Sequence, residues 1–160
     1  MTISKSKTKA ILFNPLRKYD FLPQLSIEEG SFVDVVEEAK ILGYIMRSDM
    51  KTISNTEYIC KRAYRRMWVL RRLKSLGCPI KEMIDVLKQQ IVSICEGSVA
   101  FWGPIITQNE SNMLERCLKT GLHIIFQDQY LSFNHALKLA NMRSLKSRRL
   151  EQITSFSKKA

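Results

Sequence analysis

Apolar and polar positions change rhythm near residue 50. Before that point the apolar residues come in short runs: Ala10-Ile11-Leu12-Phe13, stopped by Asn14-Pro15; Leu22 to Ile27, ahead of a Glu28-Glu29-Gly30-Ser31 turn; Phe32 to Val36; and Lys40 to Met46. Runs of this length, bounded by Gly, Pro and Asn, predict short strands. They suffice for a small antiparallel sheet, though one that needs something to pack against.

After Asp49 the apolar residues recur every three or four positions, the helical period. Ser54-Asn55-Thr56-Glu57 fits a capping box, so the first helix is expected from Ser54 to Lys74, with Gly77 just past its end. Pro79 suits the start of a second helix, from Ile80 to about Phe101, which Gly103-Pro104 breaks. Thr107-Gln108-Asn109-Glu110 is a second capping box for a helix to about Phe126. A short helix at Phe133–Leu139 and another at Ser144–Phe156 follow. The predicted class is α+β: a small N-terminal antiparallel β segment over residues 1–50, then a mainly α-helical bundle over residues 51–160.

Charge singles out the first helix. Between Ser54 and Lys74, Glu57 alone opposes Lys61, Arg62, Arg65, Arg66, Arg71, Arg72 and Lys74. At about 100° per residue, Lys61, Arg62, Arg65, Arg66 and Arg72 fall on one broad face, opposite Cys60, Ala63, Met67 and Leu70. One side can pack into a protein while the other meets something strongly negative; nucleic acid and plain solvent are the two readings. The whole chain of 160 residues carries a formal charge of +11, which favours a polyanionic partner and says nothing of fold. Basic residues also crowd the N-terminus (Lys5, Lys7, Lys9, Arg17, Lys18) and the C-terminus (Arg143, Lys146, Arg148, Arg149, Lys158, Lys159), around an acidic stretch from Asp20 to Asp49.

The remaining composition is quieter. With 45% hydrophobic residues the chain can bury a core. Cys60, Cys78, Cys95 and Cys117 are far apart with no CxxC pair, which predicts buried reduced thiols and no metal site. The N-terminus lacks an apolar signal segment, and the run from Ile91 to Ile106 is interrupted by Glu96, Gly97, Gly103 and Pro104. A soluble intracellular protein, cytoplasmic or nuclear, is expected, with no membrane partner. His123 lies among Leu122, Ile124 and Ile125 and reads as a core or edge residue; His135 reads as solvated. Glu96, flanked by Ile94, Cys95, Val99 and Phe101, calls for an Arg or Tyr partner. No nucleophile elbow, zinc-protease, P-loop or dinucleotide motif is present, and no adjacent aspartates are placed to hold paired Mg²⁺. The chain alone reads as non-catalytic.

Several phrases together resemble the reverse transcriptases of non-LTR (LINE-like) retrotransposons. Ile3 to Phe13, with Lys7-Thr8-Lys9, is similar to their palm segment "LNxxKTKxMxF". Glu38 to Ile45, with Lys40-Ile41-Leu42-Gly43, is similar to the hairpin motif that grips the primer end. The basic helix resembles the start of their thumb, and Ser93 to Pro104, with Glu96 and Trp102, resembles the thumb segment "SxLExxxxxWxP". Leu114-Glu115-Arg116, Ile124-Ile125, Tyr130, Ala136-Leu137 and Leu145 to Arg149 follow the order of the stretch after it, with Gly121 where Ala is usual and Phe133 where Tyr is usual.

The resemblance implies a C-terminal palm-end and thumb region of an RNA-directed DNA polymerase. The fingers and the metal-binding aspartates of the family are missing, which fits a truncated copy beginning at Met1. Lys7 would match the palm lysine near the incoming nucleotide's phosphates, Leu42 and Gly43 would sit at the primer-gripping hairpin, and Lys61, Arg62, Arg65, Arg66 and Arg72 would meet the template–primer backbone. The family's Mg²⁺ would have no ligands here, so no cofactor is expected. The implied partner is RNA or RNA–DNA duplex, held without sequence preference, with the missing polymerase portions as a further candidate. The alternative is a stand-alone basic helical module that binds an acidic protein or membrane surface.

Overall fold

A computed structural model describes residues 8–13, 25–28 and 31–158. The chain divides into two units, Met1–Asn55 and Thr56–Ala160. It is α+β, with short strands in the first and helices throughout the second.

In the first unit the strands are β1 (Lys9–Ala10), β2 (Leu25–Glu28), β3 (Ser31–Val35), β4 (Glu38–Ile41) and β5 (Tyr44–Arg47). β3 is the middle of a three-stranded sheet ordered β1-β3-β2. β2 pairs with it antiparallel, Leu25 opposite Val33 and Ser26 opposite Phe32. β1 instead runs parallel to β3, with Lys9 opposite Asp34 and Ala10 opposite Val35. The purely antiparallel expectation is corrected there: β2 already occupies one edge of β3, so β1 joins the other.

The apolar run from Lys40 to Met46 is not one strand. It folds back at Leu42-Gly43, pairing Ile41 with Tyr44 and Glu38 with Arg47. Both turn residues have positive φ, 49° and 84°, the signature of a two-residue hairpin turn with the twist strands prefer. Gly43 adopts that conformation freely; Leu42 does so against its Cβ, and its side chain is 97% exposed.

Arg47 anchors the hairpin. Its guanidinium makes two hydrogen bonds to Asp49, at 2.9 and 3.1 Å, and lies 3.7 Å from Glu38. The backbone N–H of Lys51 also donates to Asp49. The Arg47 bond foremost, assisted by that N–H, holds the Asp49 carboxyl well below the usual carboxylate range. A depressed carboxylate stabilises the fold fully above its unfolded pKa, near 4, and the contribution is lost progressively as pH falls from there through the lower folded value. On acidification through about pH 4 the Arg47 Nε–H resonance should hold its folded position longer than free carboxylates titrate, then collapse. Asp49→Asn should shift that resonance already at neutral pH and remove its collapse at low pH; a variant that keeps the wild-type profile would reject the assignment.

The longest helix is α1 (Ile53–Ser75), which belongs to the second unit from Thr56 onward. It begins before Ser54, so the expected capping box there does not form: the Ser54 hydroxyl accepts from Arg47 at 3.4 Å, and the Asn55 carboxamide oxygen accepts from the Ile45 N–H. Its end is as anticipated. Gly77 takes φ 72°, the Cys78 N–H reaches back to the Leu73 carbonyl and the Gly77 N–H to that of Lys74. This closes the helix with a left-handed residue that only glycine adopts without strain.

The stretch expected as one helix from Ile80 to Phe101 is broken into pieces. α2 (Ile80–Leu87) widens into a π-helical turn at Lys88–Val92 and narrows again in α3 (Ser93–Glu96). Gly97 then turns extended and Ser98 left-handed before α4 (Val99–Trp102). The Trp102 indole N–H donates to the Gly97 carbonyl at 2.9 Å, satisfying a carbonyl that the break releases.

α5 (Gln108–Phe126) carries the anticipated capping box, with Thr107 accepting from the Glu110 N–H and Glu110 accepting from the Thr107 N–H. α6 (Phe133–Leu139) and α7 (Leu145–Ser157) are each capped by a serine, Ser132 and Ser144. α5 is the centre of the core: Leu114, Cys117, Leu118, Leu122 and Ile125 are all buried on it. α1 runs parallel beside it, with Thr56 3.5 Å from Glu110 at one end and Lys74 donating to the Ile125 carbonyl at the other. Gly121 gives room for α2 to pack against α5, since a Cβ there would lie 2.4 Å from a Leu87 methyl.

Candidate nucleic-acid interface

α1 sorts its residues as the sequence pattern requires. Ile59, Cys60, Ala63, Met67 and Leu70 are buried, while Lys61, Arg62, Arg65, Arg66, Arg71 and Arg72 are exposed. Cys60 is a core group: its hydrogen bond to Cys117 and its burial raise the thiol far above the usual range, which keeps it unreactive. The four cysteines are all free thiols.

Several cations elsewhere in the chain are paired, while those exposed on α1 are not. Arg47, Lys51, Lys88, Arg143 and Arg148 each lie within ion-pair distance of a carboxylate. Among the described residues, none of the six exposed cations of α1 does. Arg62 instead lies over the Tyr58 ring, 5.5 Å from its centre. Lys74 faces inward to the end of α5, where a cation meets the negative end of the helix dipole.

Lys61 and Arg65, like Arg62 and Arg66, are spaced four apart on one face. Such like-charge pairs each destabilise a helix by roughly 0.2–0.5 kcal/mol. This face carries concentrated positive charge without internal compensation.

The other predicted site residues are placed elsewhere or not at all. Leu42 and Gly43 form the tip of the β4–β5 turn in the first unit. Lys7 lies outside the described residues. The expected basic surface at the C-terminus is corrected for its three arginines. Arg148 grips Glu96 with two hydrogen bonds, the longer 2.9 Å, and so supplies the partner that Glu96 called for. Arg149 is buried and donates to Ser111 at 2.6 Å, and Arg143 pairs with Glu151. These arginines tie α7 down, while Lys146 and Lys158 stay exposed without an ion pair among the described residues. Of the histidines, His123 takes the edge position, exposed with its ring against Tyr130, 5.0 Å between centres, while the solvated reading of His135 is corrected, since it is half-buried.

Sequence reasoning missed the aromatic part of the face. Trp68 is 62% exposed and stands on the same stripe as Lys61, Arg65 and Arg72, three or four residues from its neighbours. The signal was available in its helical angle. Among the described residues no group of His, Cys, Asp and Glu is arranged to hold a metal ion, and no helix is long and apolar enough to cross a membrane.

Comparison with protein-family models, curated proteins and solved structures finds no match to this chain.

Proposed function

We propose that this chain is a palm-end and thumb portion of a LINE-like reverse transcriptase, and that its α1 face grips the backbone of RNA–DNA or RNA duplex without reading sequence. One observation carries the binding part: six exposed Lys and Arg side chains on one helix, none with a carboxylate partner among the described residues. Guanidinium groups suit phosphate, since their planar fork can donate two parallel hydrogen bonds to it. A rigid helix supplies regular spacing, and its mutual repulsion is relieved when phosphates arrive. The ancestry part is supported by the order of the sequence phrases, and the Leu42-Gly43 hairpin is consistent with it. No chemical step is assigned to the chain.

The test is binding of a random-sequence RNA–DNA hybrid across a salt series, with anionic vesicles as the competing ligand. The logarithm of affinity should fall linearly with the logarithm of salt, with a slope set by the number of phosphates neutralised, about −0.9 each for a duplex. Changing the hybrid's sequence should leave both affinity and slope alone. A salt-independent affinity, or vesicles outcompeting hybrid at physiological salt, would move the face to the acidic-surface reading.

A further inference from the structure

Trp68 stands in the middle of the cationic face, and a duplex backbone alone does not explain it. The chain has two tryptophans with opposite environments. Trp102 is 0% exposed with its indole N–H bonded to the Gly97 carbonyl. Trp68 is 62% exposed, and among the described residues its indole has no hydrogen bond, stacked ring or overlying cation. Arg65 lies one turn before it and Arg72 one turn after it, on the same stripe, with Lys61 a further turn back. Neighbours at this spacing are about 5–6 Å apart. The sole carboxylate of α1, Glu57, is three turns away.

A flat apolar ring ringed by unpaired cations fits a base with a phosphate on either side. In a duplex each base face is already covered by the next pair, so a convex helix meets only sugars, phosphates and groove edges. An unpaired nucleotide offers the face a duplex withholds, and stacking on an aromatic ring is indifferent to which base it is. We infer that Trp68 is a stacking platform for an unpaired base, so that the ligand of this face is a duplex continued by a single strand. This rests on the backbone-gripping reading above, and adds to it that the strand beyond the duplex is held as well.

The two tryptophans make the test direct. The full chain is titrated with a blunt RNA–DNA hybrid and with the same hybrid extended by an unpaired oligothymidine tail, following both affinity and tryptophan emission. The tail should tighten binding by roughly 5- to 100-fold and quench the emission of the exposed tryptophan, leaving the buried one silent. Trp68→Ala should abolish the gain and the quenching while leaving blunt-hybrid affinity unchanged, and Trp68→Phe should keep part of the gain. At an exposed position neither change should alter the circular dichroism of the fold. A tail effect that survives Trp68→Ala overturns the inference. So does a wild-type chain that binds blunt hybrid but gains nothing from the tail, and that result leaves the backbone grip standing. A chain that binds neither ligand overturns both.

Discussion

Trp102→Ala should cost the helical unit about 3–5 kcal/mol of stability, the usual loss when a large buried aromatic is truncated. Trp102 is completely buried, and its removal leaves a cavity beside the contact between α4 and α7. It also strands the Gly97 carbonyl at the chain break, since the indole N–H is the donor that satisfies it. A domain of this size commonly has only 5–15 kcal/mol in hand, so the variant should unfold at much lower urea. Trp102→Phe should recover part of the packing but not the hydrogen bond, and fall between. Trp68→Ala is the contrast, with an expected change within about 0.5 kcal/mol because its ring is mostly in water. Equal urea midpoints for the Trp68 and Trp102 alanine variants would mean that the second tryptophan does not hold α4 in place.

The second large effect is on binding. The triple change Arg62→Ala, Arg65→Ala, Arg66→Ala should weaken RNA–DNA hybrid binding about a hundredfold or more at low salt, equally for every sequence. The salt slope should become shallower by about 2 to 3, one phosphate contact for each arginine lost. Folding should respond the opposite way or not at all. All three side chains are exposed, and removing them relieves the repulsion of Lys61 with Arg65 and of Arg62 with Arg66. Weaker binding with equal or higher stability is the pattern of a surface kept for a ligand. An unchanged slope would take the arginines out of the interface.

What could be read in advance follows from how local the causes are. Thr107 with Glu110, and Gly77 after Lys74, are chemical signals contained within a few residues, and they fixed the start of α5 and the end of α1. The α1 face was legible because a helix turns each residue type to a definite side. Ser54 misled because its hydroxyl is held by Arg47, a partner outside the helix. The break after α3 has a left-handed serine at Ser98, for which no local pattern speaks. The C-terminal arginines looked free because their partners are remote in sequence: Arg148 meets Glu96 and Arg149 meets Ser111 only once α7 has docked. Trp68 was overlooked for a different reason. A tryptophan in a helix is expected to be buried, and only its angular position, beside Lys61 and Arg72 and away from Ala63 and Leu70, says otherwise.

The π-helical turn at Lys88–Val92 has its own consequence. Met83, Leu87, Ile91 and Cys95 are all buried, in steps of four. In an unbroken α-helix each such step overshoots a full turn by about 40°, so the row would wander off the core within three steps. The wider turn absorbs that drift as a vernier does, letting a strict four-residue beat stay in phase with one side. Deleting a single residue there would restore an ordinary ladder yet swing everything beyond it by about 100°. Glu96 would then point away from Arg148, and Cys95 out of the core. The segment keeps its angular phase at the expense of its regularity, so a length change of one residue would be felt in α7, far along the chain.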